Sequence, residues 1–357
     1  MKKYLLHTST IAGLKSMHHS LKALISSTFV LFLGLVLFLG VPSPLFANGL
    51  PVSTTDCQSG IAPSGGCVVD TDTQGLYGIN YSLTGNIASG ATVGITFDAI
   101  DTTTINYSGN ITTTGNSAAG VYFRTASNIS YSMLGDIGTS GSSSHGIYLL
   151  TSDSNVTTMT GDITTTGDDA YGLFLNNSTN NITTLTGDIS TGNVGGTTGD
   201  DAYGLFLFGS NNNTTTLTGD ISTTGDVAYG LHLYQSDSNT TTLTGDITTA
   251  GDNADGLALA ASDSNTTTLT GDITTAGDNA DGLYFMNSDS NTTSLTGDIS
   301  TTGDSARGLY FWGTSDSNTT TLTGDISTTG DDAYGLYLNT SDSNTTTLTG
   351  DISTTGD

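Results

Sequence analysis

The chain has 357 residues, of which 47 are glycine, 33 are acidic and only six are basic, giving a formal net charge of −27 at pH 7. So acidic a surface repels nucleic-acid phosphates and anionic lipid headgroups, which argues against binding to either. The four lysines (Lys2, Lys3, Lys15, Lys22) all lie near the N-terminus, only Arg124 and Arg307 are basic beyond them, and every acidic residue is an aspartate.

Residues 1–47 read as an export signal. Basic and histidine-containing sequence comes first, and an apolar run from Ala23 to Val41 follows as a signal helix. Pro42 and Pro44 break that helix, and Ala47 offers a small residue at the point of cleavage. The run is also long enough to span a bilayer, so a retained anchor is the alternative. Residues 48–80 form an N-terminal cap segment holding Cys57 and Cys67, the two cysteines of the chain. In an oxidising compartment they are expected to form one disulfide, and their spacing is not that of a metal site.

Residues 81–357 repeat. A Gly-Asp/Asn-Ile core recurs at Gly85, Gly109, Gly135, Gly161, Gly187, Gly219, Gly245, Gly271, Gly297, Gly324 and Gly350, with a step of 26 residues in all but three intervals. An insertion near Asn193–Thr198 lengthens one interval, and one extra residue near Trp312–Thr314 lengthens another. The last unit stops at Asp357, inside the motif, so the chain reads as part of a longer repeat array.

Within a unit, side chains alternate. Over Thr240–Thr248, Thr241, Leu243, Gly245 and Ile247 share one parity, and threonines and Asp246 share the other. That pattern predicts one strand with an apolar inner face and a hydroxyl-rich outer face. A second strand is predicted twelve residues after each marker glycine, with inward pairs such as Leu231/Leu233 and Leu283/Phe285. Turn residues of the TTGD and SDSN type fill the rest. One unit cannot bury its few apolar residues alone, whereas units stacked in register make a continuous core. The expected architecture is all-β: a right-handed parallel β-helix of about eleven 26-residue coils. Stacking would also align Asn155, Asn181, Asn213, Asn239, Asn265, Asn291, Asn318 and Asn344, whose amides are expected to hydrogen-bond along the column.

A long leader followed by coils of the form GDISTTGDDAYGLYL resembles the passenger region of bacterial autotransporters and related β-helical surface adhesins. The resemblance covers about residues 80–357 and is one of composition and period. It implies a passenger exported to the surface or exterior of a Gram-negative cell, and a C-terminal outer-membrane β-barrel, which this sequence does not include. It further implies an adhesive partner on a host or neighbouring cell, either a surface protein or a glycan.

Candidate sites are few. An outward column between the inward pairs carries Tyr122, Tyr148, Phe174, Phe206, Tyr284, Tyr310 and Tyr337, with Trp312 nearby. Such rings can stack on sugars or grip a protein, or simply stack on one another and stabilise the sheet. Two aspartate columns, running from Asp136 to Asp351 and from Asp168 to Asp357, are expected to cap turns, with calcium between coils as the alternative. No other cofactor is expected. Polysaccharide-acting β-helices use paired acids, but here every coil repeats the same acids. The residues that break the repeat, Arg124, His145, His232, Arg307 and Trp312, assemble no catalytic constellation, so an enzyme is not expected. His145 and His232 are expected at the surface. The remaining alternatives are a stalk or scaffold for a downstream effector, or ice binding by the threonine-rich face. Against ice binding stands Asp246, which the alternation places on that same face.

Overall fold

The computed structural model describes residues 56–57, 60–61, 65–70, 80–192 and 201–356. The signal helix, cleavage at Ala47 and the insertion at 193–198 lie outside the described residues. Among the described residues there is no helix.

Each coil contributes three strands. Thr240–Thr244, Ile247–Thr249 and Leu257–Ala260 form one such coil. Equivalent strands of successive coils pair in parallel and in register, for example Leu243 with Leu269 and Ile247 with Ile273. The result is three sheets of 12, 11 and 11 strands. We refer to them as the threonine sheet, the short sheet and the aromatic sheet, after the strands just given. The chain is thus a parallel β-helix of about 10 turns with ~26 residues per coil.

The single long strand expected over Thr240–Thr248 is in fact two. Gly245 bends the chain between them at φ 145°, a conformation that side chains with a Cβ rarely adopt. A Cβ at Gly245 would also lie 2.1 Å from the carbonyl oxygen of Gly219 in the preceding coil. The corner therefore needs glycine for both its torsion and its close approach. Inward parity survives the bend, since Thr241, Leu243, Ile247 and Thr249 are all buried. Asp246 does not: it sits at the corner, off the outer face of the threonine sheet.

Leu243, Ile247, Leu257 and Leu259 of this coil join one apolar cluster that continues through the stack. Burying a leucine side chain is worth about 1.5–3 kcal/mol, so a single coil holds too few to offset its own ordering. The remaining corners are tied by polar ladders. Asn239 donates its backbone N–H and its side-chain Nδ2 to Oδ1 of Asn265, at 2.8 and 3.1 Å, and Asn265 does the same to Asn291. A serine ladder runs beside it, with the Ser236 N–H donating to Ser262 Oγ at 3.0 Å. The residue before each asparagine, such as Ser238 at φ 59°, turns the chain through the left-handed region.

Candidate functional site

The outer face of the aromatic sheet gathers most of the residues that break the repeat. In-register pairing aligns Tyr122, Tyr148, Phe174, Phe206 and His232, then Ala258, then Tyr284, Tyr310 and Tyr337. The rings stack: centroids are 5.1 Å apart for Tyr122–Tyr148, 4.8 Å for Tyr148–Phe174 and 5.2 Å for Tyr284–Tyr310. The ring column is interrupted once, at Ala258.

The column does not form one open stripe. Tyr122, Tyr148, Phe174 and Phe206 are buried, whereas Tyr284, Tyr310 and Tyr337 are half-buried. Trp312 is 41% exposed. Phe174, Phe206 and His232 are covered by a second column that the sequence reading missed: Tyr171, Tyr203 and Tyr229, one residue before the glycine that precedes each strand. In the same column His145 lies against Tyr148, and Ala119 shares the cluster of Tyr122. Tyr171 meets Phe174 edge-on at 4.9 Å, and Tyr203 meets Phe206 at the same distance. These side chains share one apolar cluster, separate from the interior core. The signal was present in the repeated Ala-Tyr-Gly triplet, at 170–172, 202–204, 228–230 and 333–335, although Tyr334 of the last is exposed.

This second layer also corrects the expectation for the histidines. His145 is 6% and His232 9% exposed, so both are buried rather than at the surface. His145 occupies the second column, stacked on Tyr171 at 4.8 Å, and its Nδ1 accepts the Tyr171 N–H at 3.1 Å. His232 stacks on Phe206 and meets Tyr229 edge-on, and its Nδ1 has no hydrogen-bond partner. Burial favours the neutral ring and lowers both histidines to about 3.

Farther along, the second column changes character to Asp255, Asp281 and Arg307. The Asp281 N–H donates to Asp255 Oδ1 at 2.7 Å, and the Arg307 N–H donates to Asp281 Oδ1 at 2.7 Å. The Arg307 guanidinium lies 3.6 Å from Asp281 Oδ1 and 4.5 Å from the Tyr310 ring centroid. Both carboxylates are 3% exposed. Burial pushes Asp281 up to about 7, against the opposing pull of Arg307. Burial and then the like charge of Asp281 push Asp255 up as well. Near the other end, Arg124 forms a two-pronged ion pair with Asp98.

The exposed aspartates of the first column cap backbone. Oδ1 of Asp220 accepts the Asp246 N–H at 2.8 Å, Asp246 accepts that of Asp272, and the pattern continues to Asp351. The capped group belongs to the next coil, not to the aspartate's own turn. Asp226, Asp252, Asp278 and Asp304 of the second column cap in the same way, while Asp200 and Asp357 lie outside the described residues. Among the described residues no three His, Cys, Asp or Glu side chains converge to hold a metal. Cys57 and Cys67 are joined in a disulfide.

No protein-family model matches the chain, and no curated protein or solved structure matches it.

Proposed function

We propose that the chain is an exported, surface-displayed β-helical rod, an autotransporter-type passenger that acts in adhesion or surface display. The basic-then-apolar leader ending at Ala47 and the passenger-like composition support export. A barrel carried beyond this sequence would move the rod across the outer membrane. The observation that carries adhesion is the cluster of Tyr310, Tyr337 and exposed Trp312, with Arg307 lying over the first two rings. Aromatic and arginine side chains grouped on a rigid support are the usual anchors of protein and glycan contacts.

The test uses whole cells of the native host. Protease shaving should release the repeats from intact cells. Tyr310→Ala with Trp312→Ala should reduce attachment to host or neighbouring cells while strand content stays unchanged. Repeats protected inside the cell would overturn display. Normal attachment by the double variant would overturn adhesion through this cluster and favour the second reading, a stalk or scaffold for another domain.

A further inference from the structure

The outer face of the threonine sheet has a second kind of order. In six successive strands, Thr214–Thr218 to Thr345–Thr349, the outward positions are all threonine except Ser294. They form three straight columns, since Thr240, Thr242 and Thr244 pair in register with Thr266, Thr268 and Thr270, and so on along the stack. No outward strand position of this face is charged, although aspartate ladders line the corners on either side, Asp237–Asp263 before the strands and Asp246–Asp272 after them. Asp246 and its equivalents, which the sequence places there, lie outside the strand, in the corner that follows Gly245.

On the short sheet, inward threonines bond to protein: Thr249 Oγ1 donates to the Ala254 carbonyl at 2.6 Å, and Thr275 to that of Ala280 at 2.7 Å. The inward threonines of the threonine sheet, such as Thr241 and Thr267, are buried without a hydrogen-bond partner. The hydroxyls of the outer array, from Thr240 to Thr270, have no protein partner and face solvent. Each threonine is held near few χ1 values by β-branching, so hydroxyl and methyl positions are largely fixed before any ligand arrives.

The array's spacing lies close to that of one ordered lattice. Coils repeat at about 4.8 Å, and alternate residues of a parallel strand lie about 6.6 Å apart. Water linked tetrahedrally at about 2.75 Å per hydrogen bond places second-neighbour oxygens about 4.5 Å apart and repeats along the hexagonal axis every ~7.3 Å. The drift along the stack is about 0.3 Å per coil, or about 1.5 Å over six coils, and along the strand about 0.7 Å per step, or about 1.4 Å across the three columns; each is less than half a lattice step. A charged face would hold its own hydration shell instead, and would break that register.

We propose that the outer face of the threonine sheet, centred on Thr242, Thr268 and Thr321, is a binding face for ice. The methyls contribute apolar burial and the hydroxyls join the lattice of the outermost water layer. Partial mismatch implies adsorption and crystal shaping with a modest freezing-point gap. The proposal does not rest on surface display or on the aromatic cluster.

The test uses the purified full chain. Partition into ice grown slowly on a cold finger should exceed severalfold that of an inert globular protein, and a single ice crystal should become faceted. Thr242→Lys with Thr268→Lys should abolish enrichment. Thr248→Lys with Thr274→Lys, outward on the short sheet, adds the same charge elsewhere and should leave enrichment unchanged. Exclusion of the unmodified chain from ice overturns the proposal, whatever the variants do. Equal loss in both double variants also overturns it, as an effect of charge or folding. Adsorption to microcrystalline cellulose or chitin with exclusion from ice would assign the face to a crystalline polysaccharide instead. Adhesion measured through Tyr310 and Trp312 is a separate outcome, so either reading can fail alone.

Discussion

His232 shows how much one buried side chain depends on its neighbours. Its folded value near 3 lies below the unfolded value of 6.5. The stability it contributes is present above pH 6.5 and is lost as pH falls toward 3. His232→Phe keeps a ring between Phe206 and Tyr229, so its stability relative to the parent should rise steadily over that window, as read by urea titration at several pH values. No change in the difference would mean that the ring is solvated. Asp281 has the opposite sign. Its folded value near 7 lies above the unfolded 3.8, so its contribution is fully present below pH 3.8 and is lost as pH rises through 7. Asp255, Tyr284 and Arg307 face it, and only Arg307 offsets its charge. Asp281→Asn should therefore gain on the parent between pH 4 and pH 8. A loss over that range would mean that the Arg307 ion pair outweighs burial.

At the scale of the element, two ladders that look alike in sequence differ in what they bear. From Asn181 to Asn318 the asparagine column is buried and each Oδ1 accepts two N–H groups from the preceding member. Asn265→Ala removes that acceptor and leaves the Asn239 amide and backbone N–H without partners. A loss of about 2–3 kcal/mol is expected by urea denaturation, from the cost of unsatisfied buried donors. The aspartate column is exposed and each Oδ1 accepts one N–H. Asp272→Asn keeps the acceptor, as Asn110 does naturally for the Asp136 N–H at 2.9 Å, and removes a like charge. It should be neutral or slightly stabilising in the same assay. Matching losses for the two variants would refute the distinction.

For the whole molecule, the balance lies between nearest-neighbour stacking and charge. Each coil touches only its neighbours, so stability is close to a sum of coil and interface terms. Aspartates stacked about 4.8 Å apart repel one another, and salt screens that repulsion. The midpoint of thermal unfolding should rise smoothly as sodium chloride increases, with magnesium and calcium acting alike as ionic strength. A sharp rise with calcium alone would establish the intercoil calcium that the oxygen-only columns leave as an alternative.

The sequence by itself determined the coil. Its 26-residue step, the inward pairs such as Leu283/Phe285 and the aligned asparagines follow from periodicity, because stacking identical units places identical residues in columns. Where alternation ran through a glycine, as at Gly245, the pattern could not reveal a bend that preserves inward parity while dividing one strand into two. Only the tertiary structure decided which outward residues meet water. Phe174 and Phe206 have the same outward parity as the half-buried Tyr310, yet are buried, because corners fold Tyr171 and Tyr203 over them. Asp246 shares the parity of Thr244 and still leaves its face. Parity fixes only the side of a strand on which a residue lies, whereas exposure depends on what the corners bring over it in three dimensions.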